Sequence, residues 1–263
     1  MNRISNYHSH TYLCGHATGD VEDYVKEAIK GGYQEIGISD HGYVPADFID
    51  EKNYKLFKLD HFMTLNSFKE IYLKNIEYCQ KKYPNIKILK GLEVEYVRGH
   101  DNYYEYLFNN VDYLNYGVHY FYNRNNKVID SYLEMTEEDM IDYAKCVDEA
   151  LAKGWYSCLA HPDLYLYNVN EFKDIHAKVA RMIIESCIKY DVYLEVNANG
   201  RNNKYPRLEF WQIVKEYKNA KIILGSDAHC VEDYNGEKVK KAIKFCEELK
   251  LNVSEKMDLK EHK

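Results

Sequence analysis

Residues 4–41 read ISNYHSHTYLCGHATGDVEDYVKEAIKGGYQEIGISDH. A short apolar run, Ile4–Tyr7, leads into His8 and His10. Val21, Val25, Ala28 and Ile29 then recur at i, i+4, i+7 and i+8, the spacing of a helix with one buried face. Gly31 and Gly32 stop that helix, and a second apolar run, Glu35–Ser39, leads into Asp40 and His41. Strand, helix, strand, with metal-competent side chains where each strand ends, is the repeating unit of a parallel α/β sheet.

The alternation continues to the C-terminus. Further strand-like runs are Ile86–Leu92, Tyr113–Val118, Tyr156–Ala160, Val192–Val196 and Lys221–Gly225. Helical patterns cover Leu59–Lys82, Tyr103–Asn109, Glu137–Lys153, Asn170–Lys189, Leu208–Lys218 and Glu237–Leu249. Seven alternations without consecutive strands predict a parallel sheet, either closed into a barrel or open and doubly wound. Residues 42–60 form the longest stretch without a pattern and 120–134 the next. Loops of that length in a compact domain tend to be functional. The spacing predicts one domain over residues 1–250 and a polar, frayed tail over 251–263.

The chain has 263 residues, of which 46% are hydrophobic and 29% charged, enough to build a sizeable core. A net charge of −7 argues against a nucleic-acid partner, which calls for excess Lys and Arg. The seven cysteines form no CxxC pair and read as free thiols of a reducing cytoplasm. The first residues lack a basic segment followed by an apolar one, so no signal peptide is expected. No apolar run approaches the ~18–20 residues that span a bilayer. No membrane partner is expected. Oligomeric state is not encoded in any pattern found.

The polar residues at the strand ends carry the chemistry. His8 and His10 follow the first strand and Asp40 and His41 the second. Glu93, His119 and His161 follow the third, fourth and fifth; Asp227 and His229 follow the seventh. His16 lies in the first loop. The C-terminal edge of a parallel sheet is where such folds build sites. Residues two apart in an extended segment point the same way, so His8 with His10, and Asp227 with His229, can each face one ion. Imidazole and carboxylate ligands suit Zn, Mn, Fe or Co.

This series resembles the PHP (polymerase and histidinol phosphatase) family of metal-dependent phosphoesterases, over nearly the whole chain. The motifs are HxH, a further His, a strand-ending DH, GxE, two separated His and a terminal DxH. They fall on His8, His10, His16, His41, Glu93, His119, His161, Asp227 and His229. Within the family, the chain looks like the stand-alone histidinol-phosphatases in AHPD at 160–163, EVNANGR at 195–201, Tyr205-Pro206 and GSDAH at 225–229. The resemblance implies a distorted (β/α)7, TIM-like barrel holding three divalent ions. One site would use His8, His10, Glu93 and Asp227. A second would use Glu93, His119 and His161, with Glu93 bridging; a third would use His16, His41 and His229. It implies hydrolysis of L-histidinol phosphate in histidine biosynthesis, by attack of a metal-bridging hydroxide on phosphorus.

Arginine is scarce, and Arg201 lies at the catalytic edge beside Asn197 and Asn199, where a guanidinium fork could hold phosphate. Glu93, Asp227 and Arg201 are the expected catalytic residues. Asp163, Glu195, Asn197, Tyr205 and Tyr43 are the expected substrate contacts beside Arg201, suited to an ammonium and an imidazole. Asp40 is expected to orient a ligand, and Glu95 shares the face of Glu93 if the strand continues. His61, His100, His176 and His262 match no motif and read as surface residues. A competing reading is a family phosphatase for another small monoester (a sugar phosphate or nucleotide) or for phosphotyrosine. YGVH at 116–119 and the Asn- and Tyr-rich 120–134 segment bear on that choice. A nuclease or a non-catalytic metal-binding module is disfavoured by the full ligand set and the acidic balance.

Overall fold

The computed structural model describes residues 4–48, 51–200 and 204–261. Seven strands form one sheet: β1 (Ser5–Asn6), β2 (Glu35–Ile38), β3 (Lys87–Val94), β4 (Tyr113–Tyr116), β7 (Tyr156–Leu159), β8 (Tyr193–Asn197) and β9 (Ile222–Gly225). Each pairs in parallel with the next in that order. All seven match the apolar runs read from the sequence. Two further strands, β5 (Tyr120–Tyr122) and β6 (Val128–Asp130), pair antiparallel as a separate hairpin.

The first and last strands meet beyond their regular ends. His10 N donates to Ala228 O at 2.9 Å, and Asp227 N donates to His8 O at 2.9 Å. Ser226 N donates to the Asn6 side chain at 2.9 Å. The sheet is therefore a nearly closed, single-domain barrel, and its seam runs through two of the expected ligand segments. The seam resolves the choice between barrel and open sheet that periodicity left open.

The helices are α1 (Val21–Lys30), α2 (Glu51–Leu56), α3 (Leu65–Ser67), α4 (Leu73–Lys82), α5 (Asp101–Asn110), α6 (Glu137–Leu151), α7 (Asp174–Lys189), α8 (Leu208–Val214) and α9 (Glu237–Leu249). The apolar faces of all but α2 and α3 join the strands in one large core cluster. Asp20 with Asp23, and Thr136 with Asp139, form capping boxes that start α1 and α6. The helix expected over Leu59–Lys82 is interrupted. A turn of 3₁₀ helix, Leu59–His61, ends at Phe62, and Thr64 starts a new helix by accepting from Ser67 N. Among the described residues, no helix is long and apolar enough to cross a membrane.

The barrel floor is apolar. Tyr113 fills the interior beside Tyr7, rings edge-on at 5.9 Å, and its hydroxyl donates to Tyr7 O at 2.8 Å. A Cβ at Gly37 or Gly91 would overlap the Tyr113 phenol, so both positions call for glycine on packing grounds. The C-terminal tail, expected to fray, instead closes this end over its described residues. Val253 bridges Ile222, Met257 is buried against Tyr7 and Tyr113, and Met257 N donates to the Tyr7 hydroxyl at 3.1 Å. Met257, with Leu251, Val253 and Leu259 packed partly buried beside the core, supplies the burial that the polar composition hid.

Candidate metal centre

The opposite end of the barrel gathers all nine expected ligands. Glu93, near the end of β3, sits at the centre. Its Oε2 lies 3.2 Å from His8 Nε2, 3.4 Å from His10 Nε2 and 3.4 Å from His41 Nδ1. Its Oε1 lies 3.0 Å from His161 Nε2 and 3.6 Å from His119 Nε2. The two oxygens of one carboxylate thus face two sets of imidazoles. Asp227 Oδ1 is 3.3 Å from His10 Nε2.

Three pairs of imidazole nitrogens approach closely: His8 with His10 at 3.1 Å, His119 with His161 at 3.1 Å, and His16 with His229 at 3.0 Å, all through Nε2. Two nitrogens bound at ~2.0–2.1 Å to one ion stand about 2.9–3.4 Å apart, so these spacings fit shared ions. Ligand atoms of His8, His10 and Asp227 lie within 4.8 Å of one another, as do those of Glu93, His119 and His161. A third such group is His10, His41 and His229, whereas the resemblance puts His16 with the last two.

The tautomers are set from behind. His8 Nδ1 meets Glu195 Oε1 at 2.7 Å and His119 Nδ1 meets Glu95 Oε1 at 2.6 Å. His16 Nδ1 meets Cys14 O at 2.9 Å and His229 Nδ1 meets Asp227 O at 3.1 Å. Each acceptor calls for the proton on Nδ1 and turns the Nε2 lone pair into the centre, the arrangement that ligating histidines require. Asp40 accepts from Thr11 N and Thr11 Oγ1, both at 2.6 Å, and pins the loop after His10.

Burial and mutual charge set the protonation. Burial favours the neutral form of Glu93 and Asp227, but the facing histidines hold both carboxyls well below their ordinary range. Burial, reinforced by His229, lowers His10 to about 3 and His16 to about 4. Burial works against the charged form of His119 too, yet Glu95 and Glu93 outweigh it and raise it to about 9. His161 and Asp227 take left-handed backbone, at φ 31° and 47°, a cost that non-glycine residues bear mainly at functional positions.

The other expected contacts divide. Tyr205 lines the cavity, its ring 5.9 Å from the His161 ring. Glu195, expected as a substrate contact, is buried beneath His8 and also accepts His161 N at 3.0 Å. A Cβ at Gly225 would overlap it, so that glycine clears its place. Asn197 is likewise below the surface, donating to Glu195 at 2.8 Å and to Asp227 at 3.2 Å. Asp163 is buried and accepts Arg207 N at 2.6 Å, which ties two loops together. Tyr43 packs against Phe68 and Tyr103 beside a small apolar pocket, away from the ligands. All four residues stand at or just beyond strand ends, but their side chains turn into the barrel wall. Arg201 lies outside the described residues.

The cavity over the ligands measures about 320 Å³, the size of a small-molecule site. Part of its lining escaped the sequence reading. His61 stands 4.3 Å from His16, ring to ring, and Tyr132 stacks on His119 at 5.8 Å and 12°. Tyr132 comes from the 120–134 stretch without a pattern, which was the available signal, whereas His61 falls inside the helix expected over Leu59–Lys82. His176, also read as a surface residue, is buried and accepts Lys173 N at 2.9 Å.

A family model described as PHP domain matches residues 6–199. The chain is 25% identical over 260 residues to the histidinol-phosphatase of Bacillus subtilis (strain 168), covering 86% of this chain and 93% of that protein. A solved structure from Listeria monocytogenes superposes with a TM-score of 0.72 at 20% identity, covering 87% of this chain and 96% of that one. The histidinol phosphate phosphatase of Lactococcus lactis, solved with zinc, L-histidinol and phosphate, superposes with a TM-score of 0.71 at 19% identity, covering 97% and 99%. At these identities the two structures establish the barrel fold.

Proposed function

Because the chain belongs to the PHP domain family, we propose that it is a metal-dependent phosphatase that hydrolyses L-histidinol phosphate to L-histidinol and phosphate. The observation that carries the reading is the set of imidazoles fixed at Nδ1, with Nε2 of His8 and His119 turned towards Glu93 and Nε2 of His16 and His229 turned towards each other, under an open cavity. The donor chemistry fits divalent ions: neutral imidazoles, ionised carboxylates and carboxylate partners for two of the ring N–H groups.

His8, His10, Glu93 and Asp227 would hold one ion. Glu93, His119 and His161 would hold a second, and His16, His41 and His229 a third. Bound ions would acidify water and neutralise the charge of the phosphoryl group. The chain's own residues supply the rest. Glu93 offers one oxygen to each of two ligand sets. Glu195, Glu95 and Asn197 keep His8, His119 and Asp227 aligned. Tyr132 and Tyr205 wall the cavity, and their aromatic faces suit the imidazole or the ammonium carried by the histidinol that leaves. Arg201 would contact the phosphate. Seven cysteines without a disulfide fit a reducing cytoplasm.

The test is phosphate release from histidinol phosphate, sugar phosphates, nucleotides and phosphotyrosine, on protein with its metal content measured. The reading expects kcat/KM for histidinol phosphate at least ~10² above every other ester, because a buried polar fit discriminates at that level or better. Flat activity would discard the substrate and keep the phosphatase. Elemental analysis should find three metal equivalents.

A further inference from the structure

Two excursions meet over the cavity. The one after β2 is held down by Phe48, Phe57 and Leu59, all buried. The Phe57 ring packs on Tyr120 at 5.4 Å and on Tyr122 at 6.1 Å, which seats this segment on the β5–β6 hairpin. Position 58 projects from between two buried anchors and carries a lysine. Its backbone is left-handed, φ 47°, a conformation that costs a side-chain-bearing residue free energy and that gathers at functional sites. Among the described residues that line the cavity, Lys58 is the only lysine or arginine; the other ionisable groups are imidazoles, carboxyls and tyrosines.

The ammonium is placed but not locked. Its ion-pair partner is Asp130 at the end of β6, Nζ to Oδ2 3.8 Å, beyond hydrogen-bond length. The other Asp130 oxygen accepts Tyr132 N at 2.8 Å, so the carboxylate is fixed while the lysine head is not. The Lys58 side chain remains 46% exposed. A flexible four-carbon stem lets such a head swing towards a new anion, and an ammonium binds phosphate as a point charge.

We propose that Lys58 is a substrate-binding residue whose ammonium contacts the phosphoryl oxygens of the bound ester, and that Asp130 is the partner it leaves when phosphate enters. This rests on the phosphatase reading above and adds to it a phosphate contact contributed by the β2 excursion, outside the ring of metal ligands. The two excursions then act together: one brings the cation, and the other holds its resting partner.

The test titrates inorganic phosphate into the metal-loaded protein by calorimetry and measures kcat and KM for histidinol phosphate. Asn tolerates left-handed backbone, so K58N removes the charge without straining the turn. K58N is expected to weaken phosphate binding and raise KM about tenfold with kcat within about threefold, the loss of one charge-assisted hydrogen bond. K58R should restore most of the affinity. D130N should tighten phosphate about two- to threefold, because the competing anion is gone. Parent-like phosphate affinity in K58N overturns the proposal, and so does a loss in K58R equal to that in K58N. Absence of tightening in D130N removes the role given to Asp130. If the parent protein turns over no ester yet binds phosphate through Lys58, the phosphatase reading fails and the Lys58 contact stands. If it binds no phosphate at all, both fail.

Discussion

At the N-terminal end of the barrel, Tyr113, Tyr7 and Met257 fill the interior, and their polar atoms are bonded within the protein. At the C-terminal end, strands of the same sheet fill it with imidazoles and carboxylates whose ring nitrogens face one another at 3.0–3.1 Å. The floor is complete with the atoms of the chain. The ceiling is a set of donors that calls for cations. Stability and chemistry are thus assigned to opposite ends of one scaffold, as parallel barrels generally do. The comparison predicts that floor substitutions lower stability with or without metal, while ceiling substitutions act through metal.

The largest effect belongs to the ceiling. E93Q should cut phosphate release on the order of 10³-fold and lose most of the bound metal, because one side chain serves two ligand sets. The rise in melting temperature on metal addition should vanish with it. Full metal occupancy in E93Q, by elemental analysis, would sink the central role given to this carboxylate.

On the floor, Y113A should lose about 3–5 kcal/mol by chemical denaturation, since a buried ring is replaced by a cavity between Gly37 and Gly91. The loss should be the same in the chelated and the metal-loaded protein. A loss confined to the metal-loaded form would erase the distinction between the two ends. M257A should cost about 2 kcal/mol in the same assay, again independent of metal. A melting curve identical to the parent's would mean that the tail does not close the barrel.

The smallest effect should come from E95Q, which keeps the shape behind His119 but weakens its hold. Metal affinity should fall about tenfold, and excess metal should restore most of the turnover. An E95Q protein that binds metal like the parent but has lost turnover would place Glu95 among the reacting groups instead.

The strands were legible because buried parallel strands are short apolar runs, and each run in the sequence had room for one. The histidines and carboxylates that the structure gathers at one end of the barrel were legible because they recur at the ends of those runs. The hairpin at 120–130 was not: its turn uses Asn123 to Lys127, with Asn126 left-handed, rather than an Asn-Gly pair that marks a tight turn. His61 was not legible either, since nothing in its neighbours ties it to His16, 45 positions earlier in the chain. Glu93, Glu95 and Glu195 illustrate the limit best. All lie near strand ends, yet Glu93 faces the ligands, while Glu95 and Glu195 back them.

The sequence by itself determined the number and order of the strands, the edge that carries the chemistry and the residue types available there. Periodicity and strand-end position are local properties, and a chain states them directly. The tertiary structure alone decided that the sheet closes through the His8–His10 and Asp227–Ala228 segments and which carboxylates hold a histidine at Nδ1. It also decided that Lys58 and Asp130 face each other across the mouth. Those are contacts between residues far apart in the chain. Their formation depends on sheet twist, on glycines that leave room for a neighbour, and on the packing of two excursions against each other, none of which a local pattern records.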